Sequence, residues 1–158
     1  MTKRSIAVAL AALGFSLAAA ADDRLARFDG GIGVIPTGSA NTAVRGVPAA
    51  GQIWVISRLS ADIRSDGSIT VDGRGLLLGA GNTVGQTNNL SVFVTLICEA
   101  AAPFTEHNTN LAGVALEPNG DFRINDVLTP APGACASPVL LIRNAATGGW
   151  FAAGIPKL

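Results

Sequence analysis

Tyrosine is absent from this chain of 158 residues, histidine occurs once, cysteine twice, and charged side chains make up 14% of it. Each scarcity removes a class of function. A zinc centre needs three or four converging ligands, commonly His or Cys, and His107 with two cysteines is a poor match. Lysine stands only at positions 3 and 157, and the formal net charge is zero, so there is no basic stripe to track a phosphate backbone or an anionic lipid surface. Nucleic acid is therefore not expected as a partner. Helical spacing is also missing: beyond residue 21 no segment keeps apolar residues at i, i+3 and i+4 for ten residues. A nucleophile elbow is missing too, since Thr37-Gly38-Ser39-Ala40-Asn41 lacks the second glycine of Gly-x-Ser-x-Gly.

What is present begins with the first two dozen residues. Lys3 and Arg4 precede an uncharged apolar run from Ile6 to Leu17, and Ala18 to Ala21 lead into Asp22 and Asp23. Charge, a short apolar stretch and small residues are the build of a secretory signal peptide, too short to span a bilayer comfortably. Cleavage is expected after Ala21, leaving residues 22–158 as one domain with no membrane span. The expected location is periplasmic or secreted. The mature part carries nine basic and eleven acidic side chains, a net charge of −2 with His107 neutral. In an oxidising compartment Cys98 and Cys135 are expected to form a disulfide. Closing a loop of that length stabilises a fold by roughly 3–4 kcal/mol on the chain-entropy estimate.

The rest reads as short apolar runs punctuated by Gly, Pro, Asn and Asp. From Gln52 to Arg64 apolar residues alternate, with Ile53, Val55, Leu59, Ala61 and Ile63 on one face, which predicts one strand. Ser65-Asp66-Gly67-Ser68 supplies an Asp-Gly turn, and a return strand runs from Ile69 to about Leu78. Leu90 to Glu99 is a further strand. Leu111–Leu116 and Asp121–Leu128 are expected as a second hairpin about Pro118-Asn119-Gly120. Val139–Asn144 and Trp150–Ile155 form a third through Thr147-Gly148-Gly149. Gly30–Ile35 reads as an edge strand. Seven or eight strands with short connections and no helix predict an all-β fold: an antiparallel β-sandwich, or alternatively a small closed β-barrel.

Candidate chemistry is confined to a few places. Glu106 and His107 share a segment read as a loop and form a possible surface site, which in a small secreted hydrolase would make His107 a general base beside a carboxylate. Glu117, Asn119 and Asp121 alternate oxygen-bearing side chains, with Asn125 and Asp126 beyond, and are the candidate Ca²⁺ ligands of a calcium-stabilised module. Their glycine falls at the fourth position, so this is no EF-hand loop, and an ordinary polar hairpin turn is the favoured explanation. Gly73-Arg74-Gly75 through Gly79 has the wrong spacing for a dinucleotide loop and fits a bent or bulged strand. Trp54, Trp150 and Phe151 suggest either a sugar-stacking platform or core packing. No cofactor is implied.

Several blocks, taken together, resemble a group of small exported bacterial proteins to which no activity is attached. They are Arg45-Gly46-Val47-Pro48, Gly51 to Ile56, Asp72 to Leu78, Gly120 to Leu128, Pro138 to Arg143 and Trp150 to Pro156. The likeness covers residues 28–156. It implies one exported β domain and brings no ligand or catalytic residue with it. The expectation from the whole sequence is a non-enzymatic binding or structural module of the envelope or exterior. Its partner would be a protein or a glycan.

Overall fold

A computed structural model of the chain describes residues 23–37 and 42–157, so the leader and Gly38 to Asn41 of the serine segment lie outside the described residues. Eleven strands and no helix are found among those residues: β1 (Arg24–Gly33), β2 (Trp54–Val55), β3 (Arg58–Arg64), β4 (Ser68–Arg74), β5 (Leu77–Leu78), β6 (Ser91–Ile97), β7 (His107–Asn108), β8 (Val114–Ala115), β9 (Phe122–Val127), β10 (Val139–Asn144) and β11 (Trp150–Pro156). Nine of them form one sheet in the order β7-β6-β10-β11-β1-β3-β4-β9, with β8 on β6 beside β7. Every strand pair is antiparallel.

The two ends of that path meet. Asn108 at the end of β7 and Thr129 just past β9 exchange both backbone hydrogen bonds, at 2.9 and 2.8 Å. The protein is thus all-β and antiparallel, as its sequence predicts. Of the two closures weighed, the single sheet takes the barrel, curling until it is nearly closed on itself. Inside lie Phe28, Leu59, Ile63, Val71, Val94, Leu140 and Ile142, all fully buried. Each comes from a strand whose alternate residues turn to solvent or to covering loops.

Three sequence expectations are corrected. Residues 52–64 form two strands instead of one. The alternation slips at Ile56-Ser57, so Trp54 is buried and Val55 is 48% exposed, the reverse of the expected phase. Opposite the slip, Gly75 takes a φ of +63° and divides the return strand into β4 and β5. The β2–β5 pair is a separate two-stranded sheet, Trp54 opposite Leu78. The segment read as an edge strand belongs to β1, which starts earlier and lies between β11 and β3 in the sheet's interior. The third correction, the opening of the second hairpin, creates the site described below.

The other turns follow their chemistry. Gly67 (φ +86°) closes the β3–β4 hairpin, with Ser68 N–H donating to Asp66 Oδ1 at 2.8 Å. Cys98 and Cys135 are disulfide-bonded with Cα atoms 4.4 Å apart, tying the end of β6 to the loop before β10. A strap over residues 42–50 is fastened beside them. Val44 and Val47 pair across Arg45 and Gly46, and the Arg45 guanidinium donates to Ile97 O at 3.1 Å and to Ser137 O at 2.6 Å. Trp54 stacks on Phe151 at 4.0 Å between ring centroids, and Trp150 Nε1 donates to Thr42 O at 2.9 Å. All three rings are buried, so they pack the core.

Candidate functional site

The anticipated pair Glu106 and His107 does not share a face. Successive residues of a strand point to opposite sides, and β7 turns His107 inward, where it is 6% exposed and its Nδ1 donates to Pro130 O at 2.7 Å. Glu106 points the other way, to Arg143 Nη1 at 2.5 Å. Arg143 is itself buried. Its Nε donates to Gly148 O at 2.7 Å, its Nη1 also donates to Thr95 Oγ1 at 3.1 Å, and it lies 5.1 Å from the Phe93 ring centre. This fork holds the β10–β11 turn against β6.

The Glu117-Asn119-Asp121 group is a turn built on its own polar atoms. Asn119 Oδ1 accepts from Asp121 N at 3.0 Å, and Asp121 Oδ1 accepts from Gly75 N at 3.0 Å. Asp121 Oδ2 holds Arg74 Nη1 at 2.9 Å. Arg74 also meets Asp72, which in turn takes Arg123. Arg74, and then Arg123, hold the Asp72 carboxyl below its ordinary range; Arg74 and the Gly75 N–H do the same for Asp121. Asp121 is thus held by a guanidinium and a backbone N–H. Among the described residues no three His, Cys, Asp or Glu side chains gather as a metal cage.

The feature that the sequence did not suggest lies between β8 and β9. The turn at 117–121 is the expected one, with Glu117 N bonding Asp121 O at 2.9 Å. Its arms, however, pair elsewhere: β8 with β6, β9 with β4. The cause is a change of register along β6. Val94 is bonded to Thr109, while Val92 faces Val114. Two steps on β6 therefore correspond to five on its neighbour, and the three extra residues are thrown outward as a turn over Asn110–Gly113. Asn110 makes that turn, its Oδ1 accepting from Ala112 N at 3.0 Å and its carbonyl from Gly113 N at 2.9 Å. Gly113 completes it at φ +67°, with its α-carbon so close to Val92 that a Cβ would lie 2.4 Å from the carbonyl oxygen.

The barrel consequently has a seam, closed at one end by the Asn108–Thr129 bridge and at the other by the 117–121 turn. Between them β8 and β9 form no ladder. Leu128 N bonds Gly67 O at 2.9 Å, which fixes the phase of the β4–β9 ladder. Alternation then directs the N–H and C=O of Ile124 and Asp126 to β4 and those of Asn125 into the seam. Asp126 spans the opening: its Oδ2 accepts from Asn110 N at 2.7 Å and its Oδ1 from Val127 N at 2.8 Å.

Two clefts adjoin there and share Thr109, Asn110 and Asp126. One, of about 280 Å³, runs down to Val114 and Ile124 beside Asn125. The other, of about 420 Å³, is rimmed by Leu111 and Val127, which are 58% and 54% exposed. The residues that could have signalled this site are Asn110, just before the run read as a strand from Leu111, and Gly113 within that run. No protein-family model matches the chain, and no curated protein or solved structure matches it.

Proposed function

We propose that this chain is an exported, non-enzymatic binding module of the bacterial envelope or exterior, periplasmic or secreted, that holds its partner at the barrel seam. One observation carries the reading: the ends of the sheet meet at the Asn108–Thr129 bridge, yet among the described residues β8 and β9 form no ladder, and exposed apolar side chains flank that gap. Sheets leave edges unpaired at a cost in aggregation risk, and large apolar side chains beside recessed polar groups are the usual make-up of a binding cleft. Export is supported by the leader-like residues 1–21 and by the disulfide. The hydrolase alternative draws no support from His107, which is buried against a carbonyl with Glu106 turned away. The calcium alternative has to displace Arg74 from Asp121.

Thermal melting of the oxidised protein against calcium with chelator controls, soluble glycans, peptides and small metabolites tests this. A ligand at a hundred times its dissociation constant adds about 2.7 kcal/mol, enough for a shift of several degrees in a domain of this size. A stabilising ligand whose effect is lost in Leu111→Asp supports the seam. A ligand that stabilises both proteins alike puts the site elsewhere.

A further inference from the structure

We propose that the seam takes a neutral saccharide, with ring hydroxyls entering the slot and a C–H face resting on Leu111 and Val127; the inference rests on the seam being the binding site. Width is the first argument. Cα atoms of β8 and β9 approach within 8 Å without forming a ladder. Paired strands lie ~4.8 Å apart, and an inserted strand would need about twice that between its neighbours. Where β8 and β9 approach that closely there is no room for an inserted strand, whereas a hydroxyl is small enough to enter.

Polarity is the second. The slot offers Asn125 N–H and C=O together, the Asn125 side chain, and the Asp126 carboxylate. A hydroxyl both donates and accepts, so it satisfies such mixed walls where a pure donor or acceptor cannot. Charge is the third. No Lys, Arg or His lines either cleft, so an anion finds no counter-charge. The one carboxylate already accepts from two backbone N–H groups, which lessens its demand for a cation. Two adjoining clefts give room for more than one ring, and the apolar rims take the place of the buried tryptophans.

The test is an amide NMR titration of the oxidised protein with maltose, cellobiose and N,N′-diacetylchitobiose. A peptide of alternating Val and Thr and calcium chloride are titrated in parallel. The expected result is a saturable shift with at least one disaccharide, centred on Asn110, Ala112 and Asn125. Asn125→Ala should weaken it about tenfold, the value of one lost hydrogen bond. Val84→Ala, at an exposed apolar residue outside the seam, should not. If the peptide or calcium moves the seam amides and no saccharide does, the saccharide is wrong and the seam remains a site. Saccharide shifts centred on another face, or no saturable shift with any probe, overturn both.

Discussion

The backbone N–H of Asn110 donates to Asp126 Oδ2 at 2.7 Å, between the Asn108–Thr129 bridge and the 117–121 turn. One side chain thus does for the middle of the seam what a backbone ladder does elsewhere. Asp126→Ala should free the Asn110–Gly113 turn to move away from β9. Because the pair is solvent-exposed, the loss in stability should stay below about 1 kcal/mol. Amide exchange at Asn110 should nevertheless rise sharply, and seam binding should weaken. Unchanged exchange at Asn110 would remove Asp126 from this role.

Gly113 holds the turn that opens the seam. An alanine there meets a left-handed φ of +67° and a carbonyl 2.4 Å away, and the backbone must shift to admit it. Gly113→Ala is expected to destabilise by at least about 2 kcal/mol in urea unfolding. Gly133, whose added Cβ meets nothing within 4 Å, is the control, and Gly133→Ala should fall within about 0.5 kcal/mol of wild type.

Arg143 and Glu106 are unequal partners. The arginine side chain is 10% exposed and serves three acceptors, whereas the glutamate is 42% exposed. Arg143→Lys keeps the charge but cannot reach Gly148 O and Thr95 Oγ1 together, and should cost ~1–3 kcal/mol. Glu106→Gln should cost under about 1 kcal/mol. Equal losses would mean that the ion pair, and not the fork, holds the turn.

Acid should find the Asp72–Arg74–Asp121–Arg123 cluster before the core. Both carboxyls titrate lower in the folded protein than in the unfolded chain, chiefly through Arg74. Their stabilisation is therefore complete above the usual aspartate value of 3.8 and is lost as the pH falls through the folded values. Asp72→Asn with Asp121→Asn should flatten the acid limb of the stability profile and leave its slope near neutrality unchanged. A double variant with the wild-type acid limb would show that other groups set it.

Much of this barrel was legible where a single signal dominated. Asp66-Gly67 and Thr147-Gly148-Gly149 set hairpins because few residues tolerate positive φ, and Leu59, Ala61 and Ile63 alternate on one buried face. The reading failed where tertiary pairing overrode local pattern. Ile53 to Ser57 alternates as well as any strand, yet the sheet needs its phase reversed there to bury Trp54. His107 looked like a loop residue because two-residue strands carry no periodicity. The seam depends on two registers along β6, and register between distant segments leaves no local trace beyond the turn residues Asn110 and Gly113.

A binding seam requires the barrel to stay open between β8 and β9. Native-state hydrogen exchange along β9, resolved residue by residue, distinguishes an open seam from a zipped one. Ile124 and Asp126 donate to β4 and should exchange slowly, while Asn125 between them, its N–H turned into the seam, should exchange orders of magnitude faster. Protection at Asn125 equal to that of its two neighbours would mean that the seam is zipped shut and holds no ligand.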